Sequence, residues 1–182
     1  MDDKRLRFEA QALPHLDAAY NLARWLTGSR SEADDIVQDA MIRAYRAFDD
    51  VKGGDVKPWL LAIVRNCFFT AATRLTKERK IISLTGQSHT EGDDAYVDEA
   101  PDPEIALIRA DQGRKLSGLI ATLPQEFREV IVLREMEDLS YKEIAQITAT
   151  PIGTVMSRLA RGRAILKERW NRQMEGGRHA VR

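Results

Sequence analysis

The last part of the sequence carries side chains whose types and spacing suit contact with nucleic acid. From Ile152 to Arg182 there are eight basic residues and two acidic ones. On a helix of about 100° per residue, one side of this stretch presents hydroxyl, small and basic side chains: Thr154, Met156, Ser157, Ala160, Arg161 and Ala164, with Arg158 and Arg163 at the edges. Small residues let a helix approach closely, hydroxyls can meet phosphates, and arginines bind guanine edges bidentately. The pattern favours a DNA-binding helix over a solvated amphipathic helix.

The sequence offers no comparable pattern for catalysis or metal binding. His15, His89 and His179 lie far apart and have no partners at metal-ligand spacing. There is no glycine-rich phosphate loop, no nucleophile elbow and no pair of carboxylates in an apolar setting. We therefore expect a binding protein without catalytic residues, a metal or a cofactor.

The residues around the DNA-binding helix predict a helix-turn-helix. Ser140, three residues before Glu143, is typical of a capping box at the start of a short helix over residues 141–147. After a break at residues 148–151, Pro151 can open the DNA-binding helix at its first turn. One apolar stripe of that helix is expected to pack on the short helix: Val155, Leu159, Gly162 and Leu166.

Charge and cysteine content limit the class of protein. The 182 residues have zero formal net charge, but residues 81–111 hold one basic and eight acidic residues, whereas residues 112–182 hold thirteen basic and eight acidic ones. The single cysteine, Cys67, lies among apolar residues and is expected to be a buried side chain in a reducing compartment. Because no apolar run could span a bilayer and the charged start is unlike a signal peptide, we expect no membrane insertion and a cytoplasmic location.

Two helices are predicted before residue 49, and the second has an unusual outward face. The first helix is predicted from Glu9 to Leu26, with an early irregularity at Pro14 and an end at residues 27–29, where Gly28 lies. Ser31 is predicted to cap the second helix. On the outward face of the second helix a single apolar residue, Ile42, stands within a polar ring: Asp35, Gln38, Asp39 and Arg46. Ile42 is either an ordinary exposed residue or the apolar centre of a protein docking surface.

A loop over Asp49–Lys57 precedes a long helix that is predicted from Pro58 to near Lys80. The first half of that helix is apolar on almost every side, which predicts a central position in its module. One stripe differs: Arg65, Asn66, Phe69, Thr73 and Lys80. It is either a surface strip or a track for single-stranded nucleic acid, where aromatic side chains stack and cations meet the backbone.

The segment from Ser83 to Pro103 is acidic, contains glycines and prolines, and has no apolar period, as expected of a flexible linker. Helical periodicity resumes after it. We therefore predict an all-α fold of two small helical modules. The amino-terminal module covers residues 1–82, the linker residues 83–103, and the carboxyl-terminal module residues 104–175.

Both modules resemble the extracytoplasmic-function sigma factors, the small two-domain branch of the sigma-70 family. The resemblance to region 4 of that family lies in LPQEFREVIVLREMEDLSYKEIAQI followed by PIGTVMSRLARGRAIL. The resemblance to region 2 lies in EADDIVQDAMIRAYRAF and PWLLAIVRN. Together these segments cover most of residues 9–170 in the expected order. The pair is more specific than either motif alone, because the carboxyl-terminal, region 4 motif also resembles other helix-turn-helix regulators.

The resemblance implies partners and site residues. Such proteins bind core RNA polymerase and promoter DNA, direct transcription initiation, commonly in a stress or envelope response, and are often held by an anti-sigma factor. The polymerase would bind Asp35, Gln38, Asp39, Ile42 and Arg46. The minus-ten element would be held by Lys52, Gly53, Trp59, Arg65, Asn66, Phe69 and Thr73. The minus-35 element would be read by Thr154, Met156, Ser157, Arg158, Ala160, Arg161 and Arg163.

Two departures from the family pattern leave base preference open. Met156 and Ala160 stand where relatives often carry an arginine and an aromatic, and the loop before Trp59 is slightly shorter than in some relatives. Two other interpretations are also possible. One is a dimeric helix-turn-helix transcription regulator that does not bind polymerase. The other is an adaptor whose amino-terminal helices bind a different protein.

Overall fold

The computed structural model describes residues 2–51, 54–82 and 103–179, and all regular secondary structure within these ranges is helical. The α-helices are α1 Asp2–Ala12, α2 Leu16–Thr27, α3 Arg30–Ala47, α4 Val56–Ile82, α5 Pro103–Ala121, α6 Gln125–Ile131, α7 Tyr141–Thr148 and α8 Ile152–His179. Short turns of 3-10 helix cover Leu13–His15 and Phe48–Asp50, and a π-helical turn, Val132–Met136, follows α6. Within the described ranges, no helix combines the length and apolar character needed to cross a membrane.

The amino-terminal helices pack around α4. Leu60 and Val64 on α4 are completely buried, which confirms the central position predicted from its apolar sequence. Leu22 of α2 and Ala40 of α3 are buried in the same core. Cys67 is also buried there, and this burial raises the pKa of its thiol to about 11. A thiol that stays protonated at neutral pH is a packing group and not a nucleophile.

The first predicted helix is in fact two helices. The irregularity predicted at Pro14 is a break between helices, because Pro14 lies in the 3-10 turn between α1 and α2. Proline has no N–H to donate and its ring clashes with the preceding turn, so it interrupts the α-helical hydrogen bonding. The helix α2 then ends as predicted at Gly28, whose φ of 73° is readily adopted only by glycine.

The predicted cap of α3 and the predicted start of α4 are also wrong. The cap is Ser29 and not Ser31, because the Ser29 hydroxyl oxygen accepts the backbone N–H of Glu32 at 3.4 Å. The helix α4 starts at Val56 and not at Pro58, and it continues to Ile82. A proline in the first turn has no lost hydrogen bond to compensate, so the helix can begin before it.

The carboxyl-terminal module contains the predicted helix-turn-helix, formed by α7 and α8. The Glu143 N–H donates to the Ser140 hydroxyl oxygen at 3.3 Å, and the Ser140 N–H donates to the Glu143 carboxylate at 2.7 Å. These two bonds are the predicted capping box. The chain turns at Ala149, which has a left-handed conformation with φ of 51°. The Pro151 carbonyl then accepts the N–H of Val155 at 3.1 Å, which starts α8.

The apolar stripe of α8 packs on two helices, whereas the sequence predicted one. Val155 and Leu159 are buried as expected. Gly162, however, faces α6: a Cβ atom at this position would lie 3.1 Å from Ile131 Cγ1 and 3.4 Å from Phe127 Cβ. The missing side chain therefore allows α8 to lie close against α6, which fixes the helix on its module.

The two modules contact each other. The helix α4 packs against α7, and α2 packs against α6 and the π-helical turn. Residues 83–102, which hold nearly all of the predicted linker, lie outside the described ranges. The sequence predicted two modules joined by a linker but gave no sign that their helices pack together.

Candidate nucleic-acid and polymerase interfaces

The predicted DNA-binding face of α8 is open. Met156, Ser157 and Ala160 are exposed, and Thr154 is half-buried. The Ser157 hydroxyl donates to the Thr154 carbonyl at 3.0 Å, so its oxygen keeps lone pairs that face outward with the rest of this stripe. Because the opposite stripe of α8 is buried against α6 and α7, the module presents this face on a fixed support. Its small side chains permit close approach to a DNA groove.

Three arginines on α8 have different surroundings. Two nitrogens of Arg163 donate to one carboxylate oxygen of Glu135, at 3.0 and 2.6 Å. Arg158 lies 3.7 Å from the Glu126 carboxylate. Arg161 is exposed, and among the residues that the structure describes it has no ion-pair partner. Arg161 is therefore available to a ligand, while the other two must first leave a carboxylate.

Arg65, predicted on an exposed stripe of α4, is instead part-buried between the two modules. Its side chain is 17% exposed, and its Nε donates to Glu129 of α6, whose side chain is 2% exposed. The guanidinium lies over the Phe69 ring, 4.5 Å from the ring centroid. Burial raises the pKa of Glu129, and the hydrogen bond from Arg65 opposes this shift. The prediction of exposure is wrong because helical periodicity reports only which side of α4 faces its own module.

A second buried carboxylate, Glu137, is bound at the same junction. The Asn21 side-chain amide donates to its Oε1 at 2.6 Å. Lys57 Nζ donates to the Glu137 carbonyl at 2.8 Å and lies 3.1 Å from Oε2. Each of the two buried carboxylates thus has a cationic partner in the other module, which offsets the cost of removing it from water. We call the Arg65–Glu129 and Lys57–Glu137 pairs, with Asn21, the module junction.

The remaining residues predicted to hold the minus-ten element lie on α4 and in the loop before it. Three are exposed on α4: Asn66, Phe69 and Thr73. Trp59 is half-buried, with its ring centroid 6.3 Å from that of Phe48. Lys52, Gly53 and the side chain of Lys80 lie outside the described residues.

The outward face of α3 has the predicted anatomy. Ile42 is 47% exposed. Asp35, Gln38 and Arg46 are exposed around it, and Asp39 is half-buried and pairs with Arg43 at 2.8 Å. An exposed apolar residue within a polar rim is the composition of a small protein interface.

Sequence reasoning missed the residues of the module junction. Glu129 gave only a weak signal: it directly precedes the apolar residues Val130 and Ile131, and a carboxylate that is buried beside them requires a partner. Its partner lies 64 positions away in the sequence, which no local pattern can indicate. In the described part of the chain, no three histidine, cysteine, aspartate or glutamate residues are grouped as metal ligands would be.

Comparison with protein families gives a match for each module. Residues 13–78 match the family Sigma-70 region 2, and residues 113–166 match the family Sigma-70, region 4. The chain is 33% identical over 157 residues to the ECF RNA polymerase sigma factor SigW of Bacillus subtilis. The aligned segment covers 84% of this chain and 82% of SigW. It is 33% identical over 154 residues to the ECF RNA polymerase sigma factor SigE of Mycolicibacterium smegmatis, covering 85% of this chain but only 58% of SigE.

A solved structure with the same arrangement of helices is the sigma factor RpoE of Bartonella quintana, in complex with the anti-sigma factor NepR. The TM-score is 0.74 and the sequence identity 25%, over 89% of this chain and 95% of RpoE. The likeness thus extends over both modules and not only over the helix-turn-helix.

Proposed function

The chain belongs to the extracytoplasmic-function sigma factors of RNA polymerase, and we propose that it binds core RNA polymerase in the cytoplasm and directs it to promoters. The observation that carries this proposal is the presence of region 2 and region 4 on one chain, with an open DNA-binding face on α8. In this role the protein supplies specificity and no catalytic step of its own. Core RNA polymerase and promoter DNA are its partners.

The carboxyl-terminal module, residues 104–175, is proposed to read the minus-35 element. Seven residues of α8 would face the major groove or the adjoining phosphates: Thr154, Met156, Ser157, Arg158, Ala160, Arg161 and Arg163. Arg161 has no ion-pair partner among the described residues, which supports a base contact. Arg158 and Arg163 lie beside carboxylates at the margins of the face, which supports phosphate contacts.

The amino-terminal module, residues 1–82, is proposed to hold the minus-ten element. The exposed residues Asn66, Phe69 and Thr73 would follow the melted strand along α4, with Trp59, Lys52 and Gly53 near the loop. Arg65 would join them once it is released from Glu129. Use of Arg65 at this site therefore requires its ion pair in the module junction to open. Residues 83–103 are the proposed linker between the modules, and nearly all of them lie outside the described residues.

The face around Ile42 is proposed to dock on the polymerase. An isolated apolar side chain that is 47% exposed within a ring of acidic, amide and basic groups supports this assignment. An anti-sigma factor is a proposed further partner, because RpoE, which shares the fold over both modules, was solved with NepR bound.

Run-off transcription with core polymerase tests the proposal. Core enzyme plus the protein should initiate from the promoter of its own operon, and core enzyme alone should not. Ile42→Glu should weaken association with core polymerase by about 2 kcal/mol, as expected for the centre of an interface, without changing the helical content or the thermal midpoint.

Leu116→Glu is the matched control, since Leu116 is an equally exposed apolar residue (43%) on α5 in the other module. It should leave the association unchanged. Loss of folding in Ile42→Glu would show that Ile42 is a core residue. Specific binding to duplex DNA as a dimer, with no transcription in the presence of core enzyme, would instead indicate a helix-turn-helix regulator.

A further inference from the structure

The helix α1 lies outside residues 13–78, the part of the chain that matches region 2, yet it contacts the start of the loop proposed to hold the minus-ten element. Lys4 Nζ lies 2.7 Å from Asp49 Oδ2, and an Arg7 nitrogen lies 3.4 Å from Asp49 Oδ1. Lys4 also donates to the Arg46 carbonyl at 3.4 Å. The hydrogen bond with Lys4 is the main cause that lowers the pKa of Asp49. Two cations of α1 therefore hold one carboxylate at the base of the loop.

An aromatic chain connects α1 to the same place. Phe8 is buried and meets Phe48 edge to face, with ring centroids 5.3 Å apart and planes at 90°. Phe48 in turn lies 6.3 Å from Trp59, a proposed minus-ten residue at the other end of the loop. Phe8 also packs edge to face on Tyr45 at 5.3 Å. Aromatic pairs prefer defined edge-to-face geometries. Through Phe8 and Phe48, α1 is therefore in packing contact with the start of the loop and with Trp59 beyond its other end.

From these contacts we infer that α1 is a positioning element for minus-ten recognition, in which Lys4 and Arg7 act through Asp49. This inference rests on the proposed function of the loop. The cations themselves do not touch DNA in this role, because Lys4 is used by Asp49 and Arg7 is shared between Asp49 and Asp3, which lies 3.1 Å away within α1. Their contribution is to fix Asp49 before the loop and, together with the aromatic contacts, Trp59 after it, and so to sharpen the choice of base.

A matched set of variants tests the inference. Lys4→Ala with Arg7→Ala removes both cations, and Asp49→Asn removes the carboxylate. Arg5→Ala is the control, because Arg5 is a cation of the same helix that pairs with Glu9 within α1, at 3.1 Å. Phe8→Ala is less useful, since loss of a buried aromatic residue destabilises the whole module. Each variant is assayed by transcription with core polymerase from promoters randomised in the minus-ten element, at several salt concentrations.

The expected result is that the double variant and Asp49→Asn both reduce discrimination between minus-ten bases, by about two- to five-fold, the range for a partly exposed ion pair. Combining all three changes should reduce it no further, because each removes the same contact. Arg5→Ala should behave as the wild type. The salt dependence and the preference at the minus-35 element should not change.

A direct phosphate contact by Lys4 and Arg7 would produce a different pattern. The double variant would then weaken all promoters alike and reduce the salt dependence, whereas Asp49→Asn would strengthen binding. That outcome, or unchanged base discrimination in both variants, would overturn the inference. Failure of the wild type to discriminate minus-ten bases would instead contradict the proposed function of the loop.

Discussion

The two surfaces proposed to bind promoter DNA differ in what they contact within the free protein. On α8, Arg161 is exposed and has no ion-pair partner among the described residues. On α4, Arg65 is bound to a carboxylate of the other module that is almost completely buried. Arg161 of the proposed minus-35 face can therefore meet DNA in the arrangement seen here, whereas Arg65 of the proposed minus-ten face must first exchange a protein partner for DNA.

The difference indicates an order of events. A face that is already open can bind duplex DNA with no prior rearrangement, but the affinity of an occupied face is reduced by the free energy needed to release it. Binding of core polymerase can supply that free energy if it favours separated modules. Arg65 of the proposed minus-ten face would then become available to DNA only on the polymerase.

The largest effect that tests this comparison is expected from Glu129→Gln. Breaking a buried ion pair by removing one charge is strongly destabilising. Because Arg65 remains 17% exposed, we expect the lower end of the range, about 2–3 kcal/mol against the closed arrangement. The modules should separate, which small-angle scattering would detect as a larger radius of gyration with unchanged helical content.

Glu135→Gln is the control for that experiment. It also removes a carboxylate bound to an arginine, but the Arg163–Glu135 pair lies within the carboxyl-terminal module. Its radius of gyration should equal that of the wild type. If Glu129→Gln also leaves the radius of gyration unchanged, the Arg65–Glu129 ion pair is not what holds the two modules together. Other contacts of the module junction would then do so.

The same comparison explains what the sequence could predict. The buried stripe of α8, the capping box at Ser140 and the apolar character of α4 were predictable because each depends on residues close in sequence, at helical spacing. The sequence predicted that Gly162 is buried, but it did not predict that Gly162 faces α6. Helical periodicity shows which side of a helix is buried and does not identify the helix that covers it.

The site on α8 was more predictable than the site on α4 for the same reason. The open face of α8 follows from the opposite face being buried. The surroundings of Arg65 depend instead on Glu129, 64 residues further along the chain, and on the packing of two modules that no local pattern indicates. The ion pair between Lys4 of α1 and Asp49 also joins residues that are far apart in the sequence, so no local pattern predicted it.

A smaller effect is expected from Arg161→Ala, which tests the open face. Loss of a bidentate base contact should cost about 1–3 kcal/mol at the preferred base and relax preference at one or two positions of the minus-35 element. The measurement is transcription from promoters randomised in that element. The radius of gyration should not change, in contrast to Glu129→Gln. Equal loss on every sequence would mean that Arg161 contacts only the DNA backbone and that Met156, Ser157, Ala160 or DNA shape supplies the specificity.

The smallest effect is expected at the margin of α8, where Arg163 is neither free like Arg161 nor buried like Arg65. It is about half exposed and bound to Glu135, so its transfer from carboxylate to phosphate should change binding by less than about 1 kcal/mol. Arg163→Ala should weaken all promoters alike and lower the salt dependence by no more than about one phosphate contact. Glu135→Gln should do the opposite, because it removes the competing anion. If Glu135→Gln weakens binding, Glu135 orients Arg163 towards DNA and does not compete with the phosphate.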